Sequence, residues 1–79
     1  MSVSAGDEEL LLRLYRRQKS QKSKYVHVEA FKSYGGRSAF KELYRKGLVF
    51  FYKNRNAVGL TKDGALYVIH LLEERSKHS

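Results

Sequence analysis

Apolar side chains recur at helical spacing near both ends of the chain, while β-branched and aromatic residues crowd its middle. Leu10, Leu11, Leu14 and Tyr15 fall on one stripe of a helix predicted from about Asp7 to Lys19, with Leu12 at the stripe's edge. Asp7, Glu8 and Glu9 stand in its first turn and Arg16, Arg17 and Lys19 in its last, which complements the helix dipole at both ends. Glu9 and Arg13 make an i,i+4 pair on the far side. A polar connection, Gln18 to Lys24, leads to Tyr25-Val26-His27-Val28, which reads as a short strand. Glu29 to Tyr34 has room for one or two helical turns before the breaker Gly35-Gly36.

A second helix is predicted from Arg37 or Ser38 to Lys46, with Ser38 as N-cap and Gly47 as the C′ residue. At about 100° per residue, Ala39, Phe40, Leu43 and Tyr44 share its core face, and Arg37, Ser38, Lys41 and Arg45 share the opposite one. Leu48 to Lys53 and Ala57 to Leu60 read as paired strands. Asn54-Arg55-Asn56 forms the turn between them, because Asn tolerates positive φ. The last helix is expected to start at Thr61 as N-cap and run to about Arg75. Its main apolar face is Ala65, Leu66, Val68, Ile69 and Leu72, with Tyr67 and Leu71 pointing roughly the other way. A helix apolar over so much of its circumference wants burial on two sides. One α+β domain over residues 1–79 results, with residues 1–6 and 76–79 expected to lie outside the ordered part.

Charge adds a function class. Residues 13–62 carry fourteen Lys or Arg against Glu29 and Glu42 alone, a net of +12, whereas the flanking stretches 1–12 and 63–74 hold six carboxylates and no base. A basic block of this size between acidic flanks suits a polyanion; its bland reading is solubility. With no cysteine, neither a disulfide framework nor a thiolate metal site is available. His27, His70 and His78 are scattered, with no second ligand at metal spacing, and no Ser, His and Asp arrangement suggests a nucleophile. The expectation is a protein without cofactor or enzymatic activity. The N-terminal stretch lacks the basic and apolar segments of a signal peptide, and no apolar run is long enough for a bilayer. A cytoplasmic protein without a membrane partner or small-molecule ligand is therefore expected.

The order helix, short strand, short helix, basic helix, hairpin, helix resembles the winged helix-turn-helix family over nearly the whole chain. The stretch from Ser38 to Val49, SAFKELYRKGLV, looks like the recognition helix, closing Gly and first wing strand of many bacterial and archaeal regulators. Leu60-Thr61-Lys62-Asp63-Gly64 resembles the family's exit from the wing into its final helix. The resemblance implies a recognition helix over Arg37 to Lys46 set in the major groove of double-stranded DNA, and a wing tip at Lys53, Asn54, Arg55 and Asn56 on the backbone or minor groove. Arg37 and Arg45 could then donate to guanine edges or phosphates, Lys41 and Lys46 add charge, and Ser38 could reach a phosphate. Arg16, Arg17, Lys22 and Lys24 read either as a solvated helix end and loop or as a further phosphate-contacting strip. Tyr67 and Leu71 either finish the monomer core or pair across a two-fold axis in a homodimer.

Two other functions fit the same residues. RNA or ribosome association is one, since the Gly35-Gly36-Arg37-Ser38 lead into the basic helix would suit it too. Tyr25, Phe31, Tyr34, Phe40, Tyr44, Phe50 and Tyr52 could also be a stacking platform for single strands or RNA, although several of them fall on core faces. The other is a protein-interaction domain whose basic surface meets an acidic partner. Salt dependence and competition by nucleic acid separate these readings.

Overall fold

The computed structural model describes residues 3–52 and 56–77. The chain is α+β: helix α1 (Ala5–Gln21), strand β1 (Val26–His27), 3-10 segments Val28–Tyr34 and Gly36–Phe40, helix α2 (Lys41–Arg45), strands β2 (Val49–Tyr52) and β3 (Ala57–Leu60), and helix α3 (Lys62–Lys77). The strands form an antiparallel sheet in the order β1-β3-β2. Val26 is opposite Val58 on one side of β3, and Phe51 is opposite Val58 on the other. Among the described residues no helix is long and apolar enough to cross a membrane.

Helix α1 begins before the expected Asp7, because the Ser4 hydroxyl accepts the Asp7 N–H at 3.1 Å and caps the first turn. Ala5 and Gly6, expected outside the ordered part, are thus helical. Leu12, expected at the edge of the apolar stripe, is 0% exposed, as are Leu11 and Leu14. The reason is that α1 is packed by the sheet and by α3 together, which widens its buried face beyond one stripe.

The expected helix from Arg37 to Lys46 is split. Gly35 and Gly36 both take positive φ, 105° and 62°, and reverse the chain. Directly after them Phe40 drops into the core edge-on to Phe31, with centroids 5.0 Å apart. The chain therefore climbs in a tight 3-10 turn until Lys41, and only Lys41–Arg45 is α-helical. Ser38 is not the N-cap: its hydroxyl donates to the Gly35 carbonyl at 2.9 Å, and α2 starts from Phe40 without a side-chain cap. The helix end is as expected. Gly47 at φ 75° sends its N–H to Tyr44 O, and Leu48 sends its own to Leu43 O, both at 3.0 Å, a Schellman closure.

Thr61 caps α3 as expected, its hydroxyl accepting the Gly64 N–H at 3.0 Å. The same hydroxyl donates to the Gly47 carbonyl at 2.7 Å, and the Thr61 N–H bonds Leu48 O at 3.1 Å, which ties the start of α3 to the turn after α2. Gly64 lies in the closest contact there: a Cβ on it would run into the Leu48 carbonyl oxygen. That approach sets the rotation of α3. Gly64 and Val68 are buried, with Tyr67, Leu71 and Leu72 packed on the core. Leu66 and Ile69, expected on the main apolar face, are instead 52% and 43% exposed.

Candidate nucleic-acid interface

The chain reversal at Gly35-Gly36 packs the two 3-10 segments together, and α2 lies against strand β2. At this junction Arg37, Ser38 and Lys41 line an open cleft of about 210 Å³ with Tyr44 and Phe51. The two rings lie 5.2 Å apart, with Tyr44 half exposed. Arg37 and Lys41 are exposed and, among the described residues, have no ion-pair partner. Three of the five basic or hydroxylic residues expected on this helix therefore share one opening. The Ser38 proton is committed to the Gly35 carbonyl, and α2 is too short to offer an anion-binding N-terminus.

Arg45 and Lys46 are arranged differently. Arg45 bonds the Glu42 carboxylate at 3.2 Å on the exposed side of α2, a pair that costs little to open in water. Lys46 is the half-buried C-cap, its N–H bonded to Glu42 O at 3.0 Å. Of the expected wing tip, Lys53, Asn54 and Arg55 lie outside the described residues. Asn56 is exposed, and its carbonyl accepts the Val28 N–H at 2.9 Å, which fixes the return of the hairpin beside β1.

The expected phosphate strip divides in two. Arg16 and Arg17 line a groove of about 390 Å³ between α1 and the first 3-10 segment, together with Arg13, Ser33 and Tyr34. The Arg13 guanidinium sits 5.4 Å from the Tyr34 ring centroid. Lys22 and Lys24 instead border a wider groove of about 640 Å³ between the end of α1, the sheet and the start of α3. Helical phase separates the two sets: Arg13, Arg16, Arg17 and Ser20 share one face of α1, and Tyr15, Gln18, Lys19 and Lys22 share another.

Tyr67 and Leu71, the candidate dimer residues, are half-buried against this chain's own core. The Tyr67 hydroxyl donates to Glu8 Oε2 at 2.9 Å. Burial first, then that bond and the adjacent carboxylate charge, raise the phenol's pKa above its ordinary value of 10.0. Beside it Arg75 reaches Glu9 at 3.8 Å, so the acidic start of α1 is held by the far end of α3.

Phe31 and Phe40 belong to the core, whereas Tyr25, Tyr34, Tyr44 and Tyr52 are exposed. Helical phase set Tyr44 on the core face, and the sequence offered it otherwise only as one ring of a stacking platform, whereas the structure places it at the cleft. Its signal lay in the strand: Phe51 on the face of β2 turned to α2 is where a tyrosine ring could rest.

The fold and its surface define a small α+β chain with a basic, partly aromatic face built on a helix and a hairpin. No family model, no curated protein and no solved structure matches it.

Proposed function

We propose that this chain is a winged helix-turn-helix protein that binds double-stranded DNA, with the Arg37–Lys46 segment in the major groove and the β2–β3 hairpin as the wing. The observation that carries the reading is the shared opening of Arg37, Ser38 and Lys41 beside the hairpin strand, with both bases exposed. The sheet order β1-β3-β2 with α2 leading directly into the hairpin is compatible with that fold. The net +12 over residues 13–62 supplies the sequence-independent attraction to phosphate. In this reading Arg37 reaches a base edge or phosphate, Lys41 acts as a point charge, and Arg45 exchanges Glu42 for phosphate. A cytoplasmic regulator without catalysis follows. If the active form is a two-fold dimer, α3 would pair through the exposed Leu66 and Ile69 rather than Tyr67 and Leu71.

The test is fluorescence anisotropy with random duplex DNA across a salt series, for the parent chain, Arg37→Ala and Lys41→Ala. Each variant should weaken binding several-fold, and a lost phosphate contact should lower the log–log salt slope by about 1. Duplex affinity and slope unchanged in both variants would refute the reading.

A further inference from the structure

The outer face of the sheet, turned away from the core, carries a second surface. Its middle strand presents only Ala57 and Gly59 there, opposite Tyr52 and Phe50 of β2. Continuing the β1–β3 register by one residue sets Tyr25 beside Gly59 on the other side. Because the middle strand is bare, the flanking rings close over it. Tyr25 stacks on Tyr52 at 4.2 Å and 18°, and meets Phe50 edge-on at 5.8 Å. A Cβ on Gly59 would lie 2.8 Å from the Phe50 ring, so the slab needs that glycine. Tyr25 and Tyr52 remain 38% and 40% exposed.

Phe50 runs on into the groove of about 640 Å³, whose border holds Lys19, Lys22, Lys24 and Lys62 and no carboxylate. Among the described residues none of these four lysines has an ion-pair partner. Four ammonium groups select an anionic chain. The partly exposed Tyr25 and Tyr52 rings beside them suit planar groups carried on that chain, which a duplex does not offer because its bases are stacked inside.

We propose that this face binds single-stranded DNA, with unpaired bases stacking on Tyr25 and Tyr52 and phosphates tracking the lysines. The choice of DNA over RNA rests on the duplex reading above, in which the partner of this chain is already DNA; the cleft at Phe51 and the slab at Tyr52 lie on opposite faces of the sheet. The site itself is independent of α2.

The test measures anisotropy of labelled oligo-dT, oligo-rU and duplex DNA with the parent chain, Tyr25→Leu, Tyr52→Leu, Lys24→Ala and Lys41→Ala. Thermal melts establish which variants fold. The chain has no tryptophan and six tyrosines, so loss of tyrosine quenching in Tyr25→Leu and Tyr52→Leu assigns it to the slab. The expected result is oligo-dT binding that quenches tyrosine and weakens about tenfold in either tyrosine variant. Lys24→Ala should weaken it several-fold without disturbing the rings, and Lys41→Ala should leave it unchanged while reducing duplex binding. Loss of duplex binding by the parent chain with oligo-dT binding intact would sink the duplex reading alone. The single-strand site is overturned by oligo-dT affinity that is absent at low salt, or that is indifferent to both tyrosines and Lys24. Tighter binding of oligo-rU than oligo-dT would overturn DNA as the occupant.

Discussion

Replacing Gly64 with alanine pits a local preference against a tertiary contact. In an isolated helix the change would stabilise by about 1 kcal/mol, since alanine is the better helix former. Here the new methyl would run into the Leu48 carbonyl oxygen and would lie 2.9 Å from its carbon and 3.2 Å from Leu60 Cδ2. Contacts between carbons are comfortable only at ~3.5–4.0 Å, so α3 or the turn after α2 must move. Such overpacking costs about 1–3 kcal/mol, and displacing the Leu48 carbonyl from the Thr61 N–H removes a hydrogen bond worth about 1 kcal/mol. The net expectation is a loss of about 1–3 kcal/mol, which in a domain of this size lowers Tm by roughly 5–20 °C. Gly6→Ala is the matched control, because nothing lies within 4 Å of a Cβ there, and it should be neutral or slightly stabilising. Thermal and urea unfolding of both variants provide the assay, with a lower urea midpoint at unchanged m for Gly64→Ala. Equal or raised Tm in Gly64→Ala would refute the close approach and the rotation of α3 derived from it.

Leu12→Ala and Leu66→Ala should differ sharply: about 2–5 kcal/mol lost for the fully buried Leu12, enough to threaten folding, against roughly 0.5 kcal/mol for the exposed Leu66. Similar melting temperatures for the pair would overturn the packing of α1 and α3. Tyr67→Phe removes the bond to Glu8 and should cost about 1 kcal/mol at neutral pH. Because the folded phenol's pKa is raised, Tyr67 contributes its stability fully below pH 10 and loses it as pH climbs through the folded pKa. The Tm gap between the parent chain and Tyr67→Phe should therefore shrink above pH 10, and a gap constant through that range would contradict the Glu8 contact.

The sequence by itself determined the elements that local rules control. Helix α1, the strands at Val26 and Val49, the Gly47 closure and the Thr61 cap were all legible, because each depends on neighbours a few residues away. So was the basic block, and with it Arg37 and Lys41 as exposed candidates. The recognition segment was legible as basic but not as broken: only the docking of Phe40 against Phe31, after two glycines of positive φ, makes its first part a 3-10 turn.

Tertiary structure alone decided phases and groupings. Periodicity gives a helix a polar and an apolar side, but when most of the circumference is apolar, the side that packs is chosen by the closest backbone approach. In α3 that approach is Gly64 on Leu48, which buries Val68 and turns Leu66 and Ile69 to solvent. The slab of Tyr25, Phe50 and Tyr52 arises in the same way. Its rings come from two edge strands distant in sequence and meet because the strand between them offers Ala57 and Gly59, a relation that only the register of the sheet creates.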